Sequence, residues 1–192
     1  SKFYSLVGTL YQNQKADFEG GQELSQTDFF ANVVAVVSDR FRVNIGGRLN
    51  SHSSYGNQFT YSINPSFQLV QNDKQSLKFL GALSSAFIAP SLYQLYDPYS
   101  GNEDLEPEEN TSFETGLEYV ISDWNMSATY FYRNENPSLI YDLSTYRYEN
   151  AQEEATYSGM EIQFSGSLAD KLRLNQRTTF TSTKDGDLRY LP

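Results

Sequence analysis

His52 is the only histidine in the chain, and it stands in Asn50-Ser51-His52-Ser53-Ser54. A histidine beside serine is the start of a base and nucleophile pair. Successive residues of a strand point to opposite faces, however, so His52 is turned away from Ser51 and Ser53. No acid is placed to orient its ring, and a solvated residue at a strand end is the expectation. The run Glu103, Asp104, Glu106, Glu108 and Glu109 offers the oxygen ligands that calcium prefers. Its spacing matches no EF-hand loop and Pro107 stiffens its middle, so a charged, solvated loop is expected. The chain has no cysteine, which excludes thiol catalysis, disulfides and thiolate metal sites. It also has no phosphate-binding glycine loop, paired-histidine site or nucleophile elbow. No catalytic residue, resident metal or cofactor is predicted. Ligand contact remains: Tyr93, Tyr96, Tyr99 and Asn102 lie on the longest connection, where aromatic anchors suit a bulky ligand. Packing of the loop by the same rings is the competing reading.

The elements that must position these residues are strands. Period-two alternation dominates: Phe41, Val43, Ile45, Gly47 and Leu49 alternate with Arg42, Asn44, Gly46, Arg48 and Asn50. Phe59, Tyr61, Ile63, Pro65, Phe67 and Leu69 do the same against Thr60 to Gln68, and Trp124 to Tyr132 and Met160 to Phe164 repeat the pattern. The alternation predicts about ten strands, at 2–14, 27–38, 40–52, 58–71, 75–88, 110–122, 124–135, 139–149, 152–168 and 171–184. Most exceed the five or six residues of soluble strands and reach the length a membrane-crossing strand needs. Short connections (38–39, 71–74, 122–123, 168–171) alternate with mostly longer ones (15–27, 53–57, 89–110), the layout of an outer-membrane barrel. Tyr4, Tyr11, Phe59, Tyr61, Trp124, Tyr130 and Tyr132 sit where girdle aromatics belong. Glu114, Glu118 and Glu161, with Arg42, Arg48, Arg133, Arg173 and Arg177, are expected to form polar ladders on the other face.

The 192 residues carry a formal net charge of −10, which argues against a general nucleic-acid surface. A low mean hydropathy decides nothing, because alternating strands average out one wholly apolar face. No run approaches 18 apolar residues, so no transmembrane helix is predicted. A soluble β-sandwich with Phe41, Ile45, Phe67, Leu69 and Trp124 in a dry core, and a small closed porin-like barrel of ten strands, remain open.

Several features with no common local cause follow one another in a fixed order. A strand ends in Phe87-Ile88-Ala89-Pro90, and Ser91-Leu92-Tyr93-Gln94-Leu95-Tyr96 comes next. The turn Gly101-Asn102-Glu103-Asp104-Leu105-Glu106-Pro107-Glu108 follows, and then a strand with Ser112, Glu114 and Gly116. Farther on stand Tyr132-Arg133-Asn134, Tyr148-Glu149-Asn150-Ala151 and Tyr157-Ser158-Gly159 before Glu161; Gly186 to Pro192 looks like a turn before final strands. This order resembles the β-barrels of TonB-dependent outer-membrane receptors. The resemblance implies an all-β, antiparallel transmembrane barrel of about 22 strands, of which residues 1–192 form a single partial domain. An N-terminal plug, the last strands and the natural termini would lie outside it, and the polar ladders would pack against that plug. The implied setting is the outer membrane of a Gram-negative cell, with lipid around the barrel. The implied partners are the TonB complex, acting through the plug, and a large scarce nutrient, cobalamin or a ferric siderophore. The wording of residues 91–108 is nearest in style to the cobalamin branch.

Overall fold

A computed structural model describes residues 1–18, 20–169 and 172–184. Nine long strands form one antiparallel sheet: β1 (Lys2–Ala16), β2 (Gln22–Val36), β3 (Phe41–His52), β4 (Gly56–Gln71), β5 (Gln75–Ile88), β6 (Glu108–Ile121), β7 (Trp124–Glu135), β10 (Ala155–Ala169) and β11 (Leu172–Lys184). Each pairs with the next in that order, so every connection inside the sheet is a hairpin or an elaborated one. The segment 139–149, expected as one wall strand, is instead two four-residue strands, β8 (Leu139–Asp142) and β9 (Arg147–Asn150), which pair only with each other. A strand needs a continuous run of alternating faces, and Leu143 to Tyr146 interrupts it with a turn. The described strands therefore number nine in the wall rather than ten, and they form an open sheet with β1 and β11 at its edges, not a small closed barrel. The expected turn at 186–192 lies outside the described residues.

Register carries one face across all nine strands. Val33 stands opposite Ile45, Ile45 opposite Ile63, Leu83 opposite Phe113, and Met160 opposite both Tyr130 and Phe180. These side chains are large, apolar and exposed: Ile45 by 49%, Phe59 by 64% and Phe180 by 59%. The dry core that a soluble sandwich requires is absent, since Phe67 and Leu69 are likewise open. Buried hydrophobics among the described residues are confined to Leu24, Leu92, Leu95, Leu105 and Ala155, all at the end of the sheet that carries the long connections. Phe59 to Phe67 and Trp124 to Tyr132 each span eight residue steps, about 27 Å of strand. Tilted as barrel strands are, that is roughly 20 Å, close to the height of a membrane-facing apolar band.

The opposite face is polar. Lys78 bridges to the directly facing Glu118 at 3.0 Å, and Arg177 to Glu161 at 2.7 Å. Arg48 pairs with Asp28, and Arg133 with Glu135. Glu114 instead faces Ala82 and Phe131, and Arg42 faces Val36 and Ser66. The expected ladders thus exist for part of the set only. Tyr4 departs from expectation too: it shares the face of Lys2, Leu6 and Val34, so it is no girdle residue of the apolar face.

Glycines admit large rings on both faces. Phe30 lies over the facing Gly8, where a Cβ would come within 2.4 Å of the ring. Phe131 lies over Gly159, whose Cβ would meet the ring at 2.6 Å and the Phe180 carbonyl at 2.1 Å. On the apolar face Trp124 stacks on Phe164 with centroids 4.7 Å apart, and a Cβ at Gly166 would sit 2.1 Å from its ring. Such glycine and aromatic pairs let a flat ring cover exposed backbone. Gly166→Val should displace Trp124 and destabilise the folded protein by about 1–3 kcal/mol, read as a lower urea midpoint. Adding Trp124→Ala should remove most of that penalty.

Candidate ligand-contact layer

All long connections lie at one end of the sheet. The one from β5 to β6 does not project outward; it folds back over the polar face. Its helix, α1 (Leu92–Tyr96), is started by a capping box: Ser91 Oγ accepts from the Gln94 N–H at 3.3 Å, and Gln94 Oε1 accepts from the Ser91 N–H at 2.8 Å. Leu92 and Leu95, three residues apart, fall on one side and bury with Leu105 against Leu24 of β2. Four leucines taken out of water at about 1.5–3 kcal/mol each supply the energy that orders this strap. Phe18, Leu139 and Tyr148 close around them.

Polar clamps then fasten the strap to the β8–β9 hairpin. The Asp97 carboxylate accepts from Ser100 Oγ at 2.7 Å and from the N–H groups of Ser100 and Tyr99. The Ser100 hydroxyl, followed by those backbone donors, holds the Asp97 carboxyl below its usual range. Gly101 is required by crowding, since a Cβ there would lie 2.5 Å from the Asp97 carbonyl oxygen. Asn102 donates to the Tyr148 carbonyl at 3.0 Å and accepts from the Asp104 N–H at 3.0 Å. Asn150 imitates a strand neighbour: its Oδ1 accepts from the Glu106 N–H at 2.7 Å and its Nδ2 donates to the Glu106 carbonyl at 2.9 Å. Glu108 Oε1 accepts from the Leu139 N–H at 2.6 Å, and the Tyr55 hydroxyl donates to the Leu105 carbonyl at 3.1 Å. The Arg147 guanidinium donates to the Gly101 carbonyl at 2.6 Å. Of the residues singled out by sequence order, Asn102, Glu108 and Asn150 thus close one loop on another. Ala89 and the fully buried Pro90 lead into the strap, while Glu114, Gly116, Gly159 and Glu161 lie in the wall.

The four expected contact residues separate. Tyr96 and Tyr99 line an open cleft of about 950 Å³ between the strap and the β1–β2 connection, with Asp17, Phe18 and Arg147. Tyr93 is half exposed, its ring between Phe18 at 6.5 Å and Tyr148 at 6.1 Å. Asn102 spends its side chain on the clamp. Burial, then the neighbouring Tyr93, Tyr141 and Asp97, raises the Tyr148 hydroxyl, so it stays neutral. His52 is buried rather than solvated, with its Nδ1 accepting from the Ser54 N–H at 3.1 Å and its ring against Tyr55. Burial lowers its pKa. The Ser53 hydroxyl accepts from the Ser25 N–H at 3.1 Å. Among the described residues no group of three acidic or imidazole side chains is placed to hold a metal. Sequence reasoning passed over Leu143 and Tyr146 at the hairpin tip, which are 54% and 66% exposed. Asn150→Ala should remove two exposed hydrogen bonds to the Glu106 backbone, at about 0.5–1.5 kcal/mol each. Faster proteolytic cleavage within residues 97–107, with the strands still protected, is the expected readout.

Three comparisons bear on this geometry. Residues 2–192 match the family described as TonB dependent receptor-like, beta-barrel. The vitamin B12 transporter BtuB of Vibrio cholerae is 31% identical over 152 residues, covering 79% of this chain and 24% of the relative. BtuB of Photobacterium profundum is 30% identical over 71% of this chain and 20% of its own length. The chain thus spans about a quarter of the length of the curated relatives it matches. Among solved structures, the siderophore receptor PirA from Pseudomonas aeruginosa superposes with a TM-score of 0.83 at 21% identity, over 94% of this chain and 37% of that one. The ferric enterobactin receptor PfeA gives 0.78 at 20% identity, over 94% and 33%, and the copper transporter OprC gives 0.75 at 13%, over 96% and 36%. A nine-stranded wall with one apolar face, an inward strap and this match along its length make the chain a member of the TonB-dependent receptor family, contributing part of its β-barrel.

Proposed function

We propose that the full-length protein is an outer-membrane receptor that imports a cobalamin, a transporter and not an enzyme. The apolar face of the sheet meets lipid, the polar face lines the barrel, and the long connections face outward. Energy from the TonB complex acts through a plug encoded outside these 192 residues. The observation that carries the reading is the charge of the loop layer, on a barrel whose sequence relatives are vitamin B12 transporters. Residues 89–109 and 136–154 together hold ten carboxylates and a single guanidinium, Arg147, which is committed to the Gly101 carbonyl. A ferric catecholate is an anion, because its phenolates outnumber the charges on iron. Such a ligand meets repulsion over a Debye length of about 8 Å at physiological salt. Cyanocobalamin carries no net charge and meets none. The solved neighbours that bind siderophores are 21% identical or less and support the fold alone.

The test uses the full-length gene in a Gram-negative strain lacking its own cobalamin and enterobactin receptors. Saturable uptake of radiolabelled cyanocobalamin that vanishes without TonB, with no uptake of ferric enterobactin, is the expected result. Enterobactin uptake alone would replace cobalamin with a siderophore. Uptake that persists without TonB would mean a passive pore.

A further inference from the structure

Tyr146 is the last residue of the four that connect β8 to β9, and its φ is +56°. That left-handed conformation is ordinary for glycine and tolerable for asparagine, whereas a bulky side chain strains it. Tyrosine here recovers nothing inside the chain. Its ring is 66% exposed and has no ring partner or hydrogen bond among the described residues. Backbone strain combined with an uncovered aromatic ring marks a residue kept for something outside the fold. Its surroundings are rigid. The Tyr148 N–H donates to the Ser100 carbonyl at 3.0 Å, and Arg147 holds Gly101. These ties bring the hairpin beside the turn that carries Tyr99, which is 89% exposed while its own N–H is fixed on Asp97.

We infer that Tyr146 and Tyr99 are paired aromatic contacts for an uncharged, ring-bearing face of the imported ligand; this rests on the cobalamin reading above. With the Tyr99 N–H fixed and Arg147 and Tyr148 tied next to Tyr146, the two rings have little backbone entropy left to lose on binding. The carboxylates around them, with their single guanidinium already engaged, leave no cation to hold an anionic ligand against these rings. The contact therefore selects for flat apolar surface rather than for charge.

The experiment measures equilibrium binding of cyanocobalamin to outer membranes carrying the full-length receptor. Tyr146→Gly relieves the backbone and deletes the ring, so the protein should reach the membrane at the wild-type level yet bind about tenfold more weakly. Tyr146→Phe should stay within about twofold of wild type, and Tyr99→Ala should lose about tenfold like the glycine variant. Binding by Tyr146→Gly within about twofold of wild type would overturn the inference, as would equal losses in Tyr146→Gly and Tyr146→Phe. If Tyr146→Gly does not assemble, Tyr146→Asn, which keeps the left-handed turn, is judged by the same criterion. A wild-type receptor that does not bind cyanocobalamin overturns the cobalamin reading and this inference with it. A receptor that binds cyanocobalamin and is indifferent to these substitutions overturns this inference alone.

Discussion

Everything in this structure follows from a sheet that cannot bury its own apolar face. Nine strands pair side by side in one sheet, interrupted only by irregularities in β4–β5 and β10–β11, yet Ile45, Phe59, Leu117 and Phe180 all remain open. In water such a surface would be a liability; in hydrocarbon it is the only acceptable exterior, provided that no backbone group is left unpaired. The edge strands β1 and β11 lack a second neighbour among the described residues, so the ladder has to be completed by other strands before the wall is content in lipid.

With no core between its faces, the chain builds a small one at its end. The leucine cluster under the strap, two to six per cent exposed, is the main place where hydrophobic burial acts as it does in a soluble domain. It uses the loops, which a barrel otherwise leaves free, and it turns the longest of them into a fixed element. The β8–β9 hairpin is drawn into the same body through Asn102, Arg147 and Asn150. Charge is distributed by the same division: paired cations and anions on the wall, and a nearly uncompensated negative layer above it.

Much of this was legible in the sequence, because the wall obeys a period of two and membrane strands are long. Strand existence and facing followed from residues such as Val43, Ile63 and Met160 without any tertiary knowledge. Three things were not legible. The segment 139–149 alternates well enough to pass for a wall strand, and only its partners reveal a separate hairpin. His52 looked solvated because no local pattern shows that Tyr55, itself bonded to the strap, lies against its ring. Tyr4 looked like a girdle residue because β1 is apolar on both faces, and the face of an edge strand is set by its pairing with β2. Tyr96 and Tyr99, singled out by residue type, line the cleft beside the strap. The Asn102 amide bonds the chain itself, which residue type and loop position do not reveal. Tyr146 carried no signal, because a positive φ is a property of the backbone and not of residue spacing.

The clamp has one more consequence. Asn102, Asn150 and Glu108 grip peptide groups, the C=O of Tyr148, the N–H groups of Asp104 and Leu139, and both groups of Glu106. A fastening that reads main chain is blind to the side chains between its fixed points. Positions 99, 103, 104 and 143, whose side chains take no part in the fastening, can therefore be exchanged over evolutionary time while the loops keep their shape. The barrel end works as a socket with interchangeable fittings, whose exposed residues can change without the loops having to learn again how to fold.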